Sequence, residues 1–145
     1  MIQPRAVIRS VRLDEVDVVV GLWTAVGLAV EPGPASAELR DLLSAGSDLV
    51  LVAEVRVEGQ SGVVAGAVMG TWDGRRGWLH RLATRPEWRG RHVARALVSE
   101  LESRLRARGC TKLNLLVEAA NATVVGFYER RGFSRDELIF MQKRL

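Results

Sequence analysis

The sequence predicts an α/β fold, a mixed and mostly antiparallel sheet with helices on both faces. Three observations carry that expectation. Leu49 to Val57 and Val63 to Trp72 are β-branched, apolar runs on either side of Glu58-Gly59-Gln60-Ser61-Gly62, which reads as a hairpin. A third run, Trp78 to Thr84, follows the turn Asp73-Gly74-Arg75-Arg76-Gly77. A long amphipathic helix then separates this run from the next strand, and a strand–helix–strand crossover makes its two strands parallel.

Taken in order, Ala6 to Val11 is a short first strand. Asp14 is expected to cap a helix, with Asp17 three residues on as a weak capping box. Leu13, Val16, Val20 and Trp23 follow at helical spacing, carrying that helix to about Val26. Glu31-Pro32-Gly33-Pro34 is expected to be a loop, since two prolines and a glycine oppose regular structure. A second helix is expected from about Ala35 to Leu43. After the three antiparallel strands, Arg85 to Gly90 forms a loop and His92 to Arg108 a helix with Val93, Leu97, Leu101 and Leu105 on its apolar face. Gly109 stops it. Leu113 to Val117 is the fifth strand, Asn121 opens a short helix closed by Gly132, and Phe133 to Lys143 is expected to complete the sheet.

The chain of 145 residues is 48% hydrophobic and 26% charged, the balance of an ordinary globular domain rather than a disordered chain, and one domain over 1–145 is expected. Its net charge is +4, and Lys112 and Lys143 are its only lysines. The positive charge is thus nearly all guanidinium, which grips phosphate in bidentate fashion but also accompanies a GC-rich genome. The single cysteine, Cys110, excludes an internal disulfide and suits a reducing compartment. It reads as a buried structural thiol. Met1 to Ser10 has no secretory pattern, and Val16 to Val30 is too short, and too charged at Asp17, to cross a bilayer. A cytoplasmic protein without a membrane partner is expected.

The most informative stretch is Leu82-Ala83-Thr84-Arg85-Pro86-Glu87-Trp88-Arg89-Gly90-Arg91-His92-Val93-Ala94. A strand ends, a basic turn follows, and a helix begins among small residues. The first N–H groups of a helix lack intrahelical acceptors and lie at the positive end of its dipole, a ready anion site. Gly90 and Ala94 leave room for a phosphate to reach the backbone, and Arg85, Arg89 and Arg91 add charge. A loop of solvated arginines is the plain alternative.

The second stretch is Asn121-Ala122-Thr123-Val124-Val125-Gly126-Phe127-Tyr128-Glu129-Arg130-Arg131-Gly132-Phe133. It resembles the C-terminal signature of the GNAT (GCN5-related) N-acetyltransferase superfamily, and Arg89 to Ala94 resembles its coenzyme signature, Arg/Gln-x-x-Gly-x-Gly/Ala. Helix and strand lie between the two motifs, as in the family. Trp72 to Gly77 and Arg108 to Cys110 look like a subgroup of small bacterial members of uncertain substrate.

The resemblance implies a GNAT fold in which parallel strands four and five splay apart and acetyl-CoA, a cosubstrate, lies in the gap. Its pantetheine would hydrogen-bond the backbone of Leu82, Ala83 and Thr84 like an added strand. The pyrophosphate would sit on Arg89, Gly90, Arg91, His92, Val93 and Ala94, with Asn121 holding the pantetheine arm and Tyr128 beside the thioester sulfur. His92 departs from the family, which usually has a glycine there, so a positive φ at that position would be strained. Thr84 stands where an aliphatic residue is commoner.

The reaction implied is direct attack of a primary amine on the thioester. The N–H of Leu82 or Ala83 would polarise the carbonyl, and Tyr128 would be the general acid. Glu118 and His80 are the two candidates for the base, directly or through water, and no metal is called for. Trp23, Glu31, Trp72 and Trp78 are candidates to line the acceptor pocket. The acceptor itself, whether small amine, antibiotic or protein, is open, as is a homodimer. Two other readings stand beside this one: a GNAT-fold CoA sensor without turnover, and a basic nucleic-acid-binding module, for which the arginines are scattered and no recognised motif is present.

Overall fold

The computed structural model describes residues 5–60 and 62–145. Met1 to Pro4, part of the stretch read as lacking a secretory pattern, and Ser61 of the hairpin turn lie outside the described residues. The chain forms two compact units, Met1–Leu115 and Leu116–Leu145.

The first unit holds five strands in the order β1-β2-β3-β4-β5. They are β1 (Ala6–Ser10), β2 (Val50–Val55), β3 (Val63–Trp72), β4 (Gly77–Thr84) and β5 (Leu113–Leu115). The first three pairings are antiparallel and β4–β5 is parallel, as the helical crossover required. On one face lie α1 (Val16–Ala25) and α2 (Pro32–Ser44), whose Val16, Val19, Val20, Trp23, Ala35 and Leu39 form a core with Val50, Val52, Ala67, Met69 and Ala83.

The other face carries α3 (Val93–Ala107), and glycines on β3 seat it. A Cβ at Gly66 would stand 2.8 Å from Val93 Cγ1, and one at Gly70 would collide with Leu101. Residues four apart on a strand share a face, so this pair clears one groove for the stripe Val93, Leu97, Leu101 and Leu105, all buried. Cys110 is buried as expected, its Sγ 3.3 Å from the Lys112 carbonyl oxygen.

Three local expectations are corrected. The turn Leu13–Glu15 leading into α1 is closed by the Glu15 carboxylate, which accepts the Arg12 N–H at 2.9 Å, and not by Asp14. Arg9 holds Glu15 and Glu54 at 2.8 and 2.7 Å, and its guanidinium keeps both carboxyls below their usual range. The Pro-Gly-Pro run is helix, because Pro32 and Pro34 fall in the first turn of α2, where the missing N–H costs nothing. Finally, residues 133–145 contain no strand. Their apolar pattern is that of a strand, but pattern alone does not make the hydrogen-bonded ladder that defines one.

The second unit holds the 3₁₀ stretch Ala119–Val124 and α4 (Val125–Arg130), and residues 131–145 after them belong to no helix or strand. Gly132, at φ 94°, ends α4 as expected.

Candidate coenzyme and acyl-transfer site

β4 starts beside β5 and then leaves it. Pairing runs through Gly77↔Leu113, Trp78↔Asn114 and Leu79↔Leu115 and stops there. From His80 to Thr84 the strand remains bonded to β3 alone. Leu82, Ala83 and Thr84 therefore lie on an open sheet edge, whose amide groups an extended ligand can satisfy as a sixth strand would. The Thr84 hydroxyl is buried there with no hydrogen-bond partner among the described residues.

A β-bulge interrupts the same strand. Met69 opposes His80 and Ala67 opposes Ala83, so Arg81 and Leu82 share the place opposite Val68. Arg81 takes φ 52° to make the bulge. Bulges re-aim side chains. This one sends Arg81 across α1 and α2, with Cζ 5.4 Å over the Trp23 ring and Nη1 3.2 Å from Glu38. Trp23, expected at the acceptor pocket, is instead fully buried beneath Arg81. The bulge was not read from the sequence. Glycine is the usual marker of a left-handed bulge residue, and none is present at this point.

The loop after β4 is tied to β3. Arg85 N–H donates to the Ala65 carbonyl at 2.8 Å, and Arg85 Nε to that of Val64 at 2.7 Å. Arg85 thus anchors the loop instead of standing free beside the phosphates. Arg89 and Arg91 are exposed, Arg91 with its Cζ 4.9 Å over the Trp88 ring. Gly90 and His92 both adopt left-handed backbone, φ 74° and 62°. His92 is the residue before α3, and neither its side chain nor any acidic residue of the first turn caps the helix. The leading N–H groups are left to an outside acceptor at the positive end of the dipole. Val93 is buried, Ala94 half-buried. A Cβ at Gly66 would meet both Val93 Cγ1 and the Ala83 carbonyl oxygen at 2.8 Å, so the open edge and the helix start lie side by side.

His80 lies directly opposite Met69, hence on the face covered by α1 and α2. Its Nε2 is 3.2 Å from Thr71 Oγ1, and its ring stacks on Trp78 with centroids 6.3 Å apart. Burial lowers its pKa below the usual imidazole value, the neighbouring Arg81 charge adds to this, and Glu38 opposes it. At neutral pH the ring is neutral. Trp72 and Trp78 are half-exposed, and Glu31, just before α2, is exposed.

Glu118, Asn121 and Tyr128 belong to the second unit. Glu118 is exposed and its carbonyl accepts the Asn121 N–H at 2.8 Å. Asn121 breaks helical geometry with φ −112° and ψ 22°. The Tyr128 ring is held edge-on between Phe127 and Phe133, centroids 5.2 and 5.6 Å away. Burial pushes its hydroxyl pKa up to about 12, so the phenol keeps its proton at neutral pH. Among the described residues no cluster of three or more His, Cys, Asp or Glu side chains is placed to hold a metal. Nor, among the described residues, is any helix long and apolar enough to cross a membrane.

Comparison with known proteins bears on the family and the fold. The profile of the Acetyltransferase (GNAT) family matches residues 19–133. An acetyltransferase of Pectobacterium atrosepticum is 38% identical over 138 residues, covering 95% of this chain and 94% of its own. Among solved structures, the NatC complex bound to Gag peptide and CoA superposes with a TM-score of 0.79 at 20% identity, covering 92% of this chain and 87% of that one. The aminoglycoside acetyltransferase AAC(6')-Iy, in complex with a CoA-linked bisubstrate analogue, gives 0.75 at 17% identity over 97% and 99%. These two likenesses are likenesses of fold.

Proposed function

The chain belongs to the acetyltransferase (GNAT) family, and from that premise we propose that residues 1–145 act as one catalytic domain, moving the acetyl group of acetyl-CoA directly onto a primary amine. The observation that carries the reading is the splay of β4 from β5 after Leu79, which opens Leu82, Ala83 and Thr84 beside the uncapped start of α3. In this reading pantetheine pairs with the open edge. The pyrophosphate takes the N–H groups from Gly90 to Ala94, with Arg89 and Arg91 adding charge and His92 contributing its backbone alone. Asn121 holds the pantetheine arm.

The amine lone pair attacks the thioester carbon while the Leu82 or Ala83 N–H stabilises the developing oxyanion. The tetrahedral intermediate collapses, the C–S bond breaks, and Tyr128 gives its proton to the departing sulfur. Of the two candidate bases, His80 is the better supported. With Nε2–H donating to Thr71 Oγ1, the Nδ1 lone pair is free to take the amine proton, directly or through water, and the lowered pKa keeps it free at neutral pH. Glu118 is exposed and fits a relay through water. The relatives' acceptors suggest two classes for this chain, a cationic small amine or a peptide amine.

The deciding experiment is a thiol-release assay with acetyl-CoA against a panel of amines and peptide N-termini, run beside calorimetry of coenzyme binding. Thiol release with at least one amine is the expected result. Binding without release across the panel would make the protein a CoA sensor, and no binding would end the reading.

A further inference from the structure

One residue of β4 holds a conformation that its own chemistry opposes. Arg81 takes φ 52° inside a strand, a region that residues with a Cβ enter only at a cost. Such strain persists where the surroundings over-determine it, and it clusters at sites that use it. Glycine would follow the same path without strain. What arginine adds is a side chain that reaches off the strand. Its Cζ lies 5.4 Å over the ring of Trp23 on α1, and its Nη1 lies 3.2 Å from Oε2 of Glu38 on α2. Trp23 is wholly buried and the Arg81 side chain is 26% exposed, so the guanidinium rests on a fixed ring and is largely shielded from water. The Glu38 carboxylate is 45% exposed and adds less.

The strain sits where the strand changes course. β4 pairs with β5 up to Leu79 and not beyond, and the extra residue of the bulge falls at Arg81 and Leu82. A regular strand sends successive N–H groups to opposite edges. An extra residue breaks that alternation once, bends the strand and increases its twist. The bulge therefore accounts for the departure of β4 from β5, and it sets which way the Leu82 and Ala83 N–H groups point. A bulge lacks part of its ladder, so it needs holding from the side. Trp23 belongs to the core that α1 and α2 form with β2 and β3, and it gives Arg81 a rigid anchor.

We propose that Arg81 is a positioning residue for acyl transfer: by clamping the bulge to Trp23 and Glu38 it fixes the aim of the Leu82 and Ala83 N–H groups at the thioester oxygen. The inference rests on the acetyl-transfer reading above and adds to it a side chain that acts through the backbone. An oxyanion donor works only when it is held within hydrogen-bond reach of where the charge develops. A misplacement of about 1 Å costs about 100-fold in rate. Arg81 reaches onto the face covered by α1 and α2, while the N–H groups of a strand lie in the plane of its sheet. The clamp thus holds the bulge without obstructing the open edge. Glycine would allow the bulge and leave it free to relax, whereas arginine enforces it.

The test uses the full chain. Arg81→Gly removes the clamp but keeps the left-handed path open, so the variant is expected to fold. Arg81→Lys keeps a cation for the Trp23 ring and for Glu38. Circular dichroism and thermal denaturation check both. With an amine accepted in the thiol-release panel, Arg81→Gly is expected to lower kcat about 10- to 100-fold, with the Kd of acetyl-CoA within about threefold of the wild type. Arg81→Lys is expected to restore most of the loss. Infrared difference spectra of bound acetyl-CoA, labelled with carbon-13 at the thioester carbonyl, give a readout without turnover. The carbonyl stretch is lowered by the aimed N–H groups in the wild type, and is expected to rise in Arg81→Gly and return in Arg81→Lys. The proposal is overturned if the glycine variant keeps the wild-type kcat and carbonyl frequency. It is also overturned if kcat and coenzyme affinity fall together in both variants, which would make Arg81 a clamp for stability alone. Should the glycine variant fail to fold, Glu38→Gln decides by the same readouts: a lower kcat with a raised stretch upholds the clamp, and unchanged values overturn it. Failure of the acetyl-transfer reading shows instead in the wild type, as absent coenzyme binding or absent thiol release.

Discussion

The end of β4 with the start of α3, and the unit from Leu116 onward, are both assigned to one reaction, yet they are built differently. The first is over-determined. Ala83 and Val93 are buried, β3 fixes the register, and Arg85 is bonded twice to β3. What it offers a ligand is backbone: an open edge and uncapped N–H groups. The second has no fully buried residue in either helical stretch, a helix of six residues, and an aromatic trio around one phenol. What it offers is side chains. Backbone held by a sheet tolerates changes of side chain and fails when its path is blocked. A side-chain function can be removed one atom at a time.

The largest effect should come from blocking the backbone. Gly90→Glu puts bulk and negative charge where the pyrophosphate is proposed to lie, at an exposed residue with open space around its Cα. Acetyl-CoA affinity is expected to fall about 100-fold or more, the scale of a like-charge clash added to lost charge-assisted bonds. The φ of 74° adds local strain, so Gly90→Ala serves as the control and should weaken binding far less. Calorimetry on both variants decides, and near-normal affinity of the glutamate variant would move the phosphate site elsewhere.

Next comes the removal of single atoms in the second unit. Tyr128→Phe keeps the ring between Phe127 and Phe133 and deletes the proton donor. Turnover is expected to drop roughly 10²–10⁴-fold while coenzyme affinity changes little. Unchanged turnover where chemistry is rate-limiting would leave solvent as the acid.

His80→Gln asks whether the base belongs to the first unit. With a folded pKa below 6.5, the wild-type imidazole is neutral at pH 7 and protonates only as pH falls further. The kcat/KM of the wild type should therefore rise with pH through the lowered pKa and level off above it. The variant is expected to lose about 10²-fold in turnover and this acid limb with it. If Glu118→Gln removes the limb instead, the base belongs to the second unit.

The sequence carried the sheet well and the site in part. β3 falls on the expected bounds Val63–Trp72, because a β-branched run between two glycine-containing turns has few other options. Parallel β4 and β5 followed from one crossover rule. The Pro32–Pro34 helix start was misread because proline opposes helix interiors and favours first turns, and only the position of the preceding residue tells which applies. The bulge at Arg81 left no trace, since its cause is the mismatch between β3 and β4 and not a local propensity. The tail was read as a strand from its apolar run, and residues 133–145 contain none, because an apolar run alone does not fix a backbone ladder.

The smallest expected effect concerns His92, where the two kinds of construction meet. Its backbone is left-handed at φ 62°, its side chain is exposed and caps nothing, and its N–H is among those proposed for the phosphates. If only the backbone matters there, His92→Gly should preserve the loop and relieve strain. A non-glycine residue in this region costs about 1–2 kcal/mol, histidine somewhat less than most. Glycine gives back roughly 0.5–1 kcal/mol through the freedom of the unfolded chain. The net gain is then about 1 kcal/mol or less, some 2–4 °C in Tm for a chain of this size. Acetyl-CoA affinity should stay within about threefold, or tighten as the loop adopts its path without strain. Thermal denaturation and calorimetry on the two proteins check both numbers. A tenfold loss of affinity in the glycine variant would mean that the imidazole itself touches the coenzyme, and the start of α3 would then bind by side chain as well as by backbone.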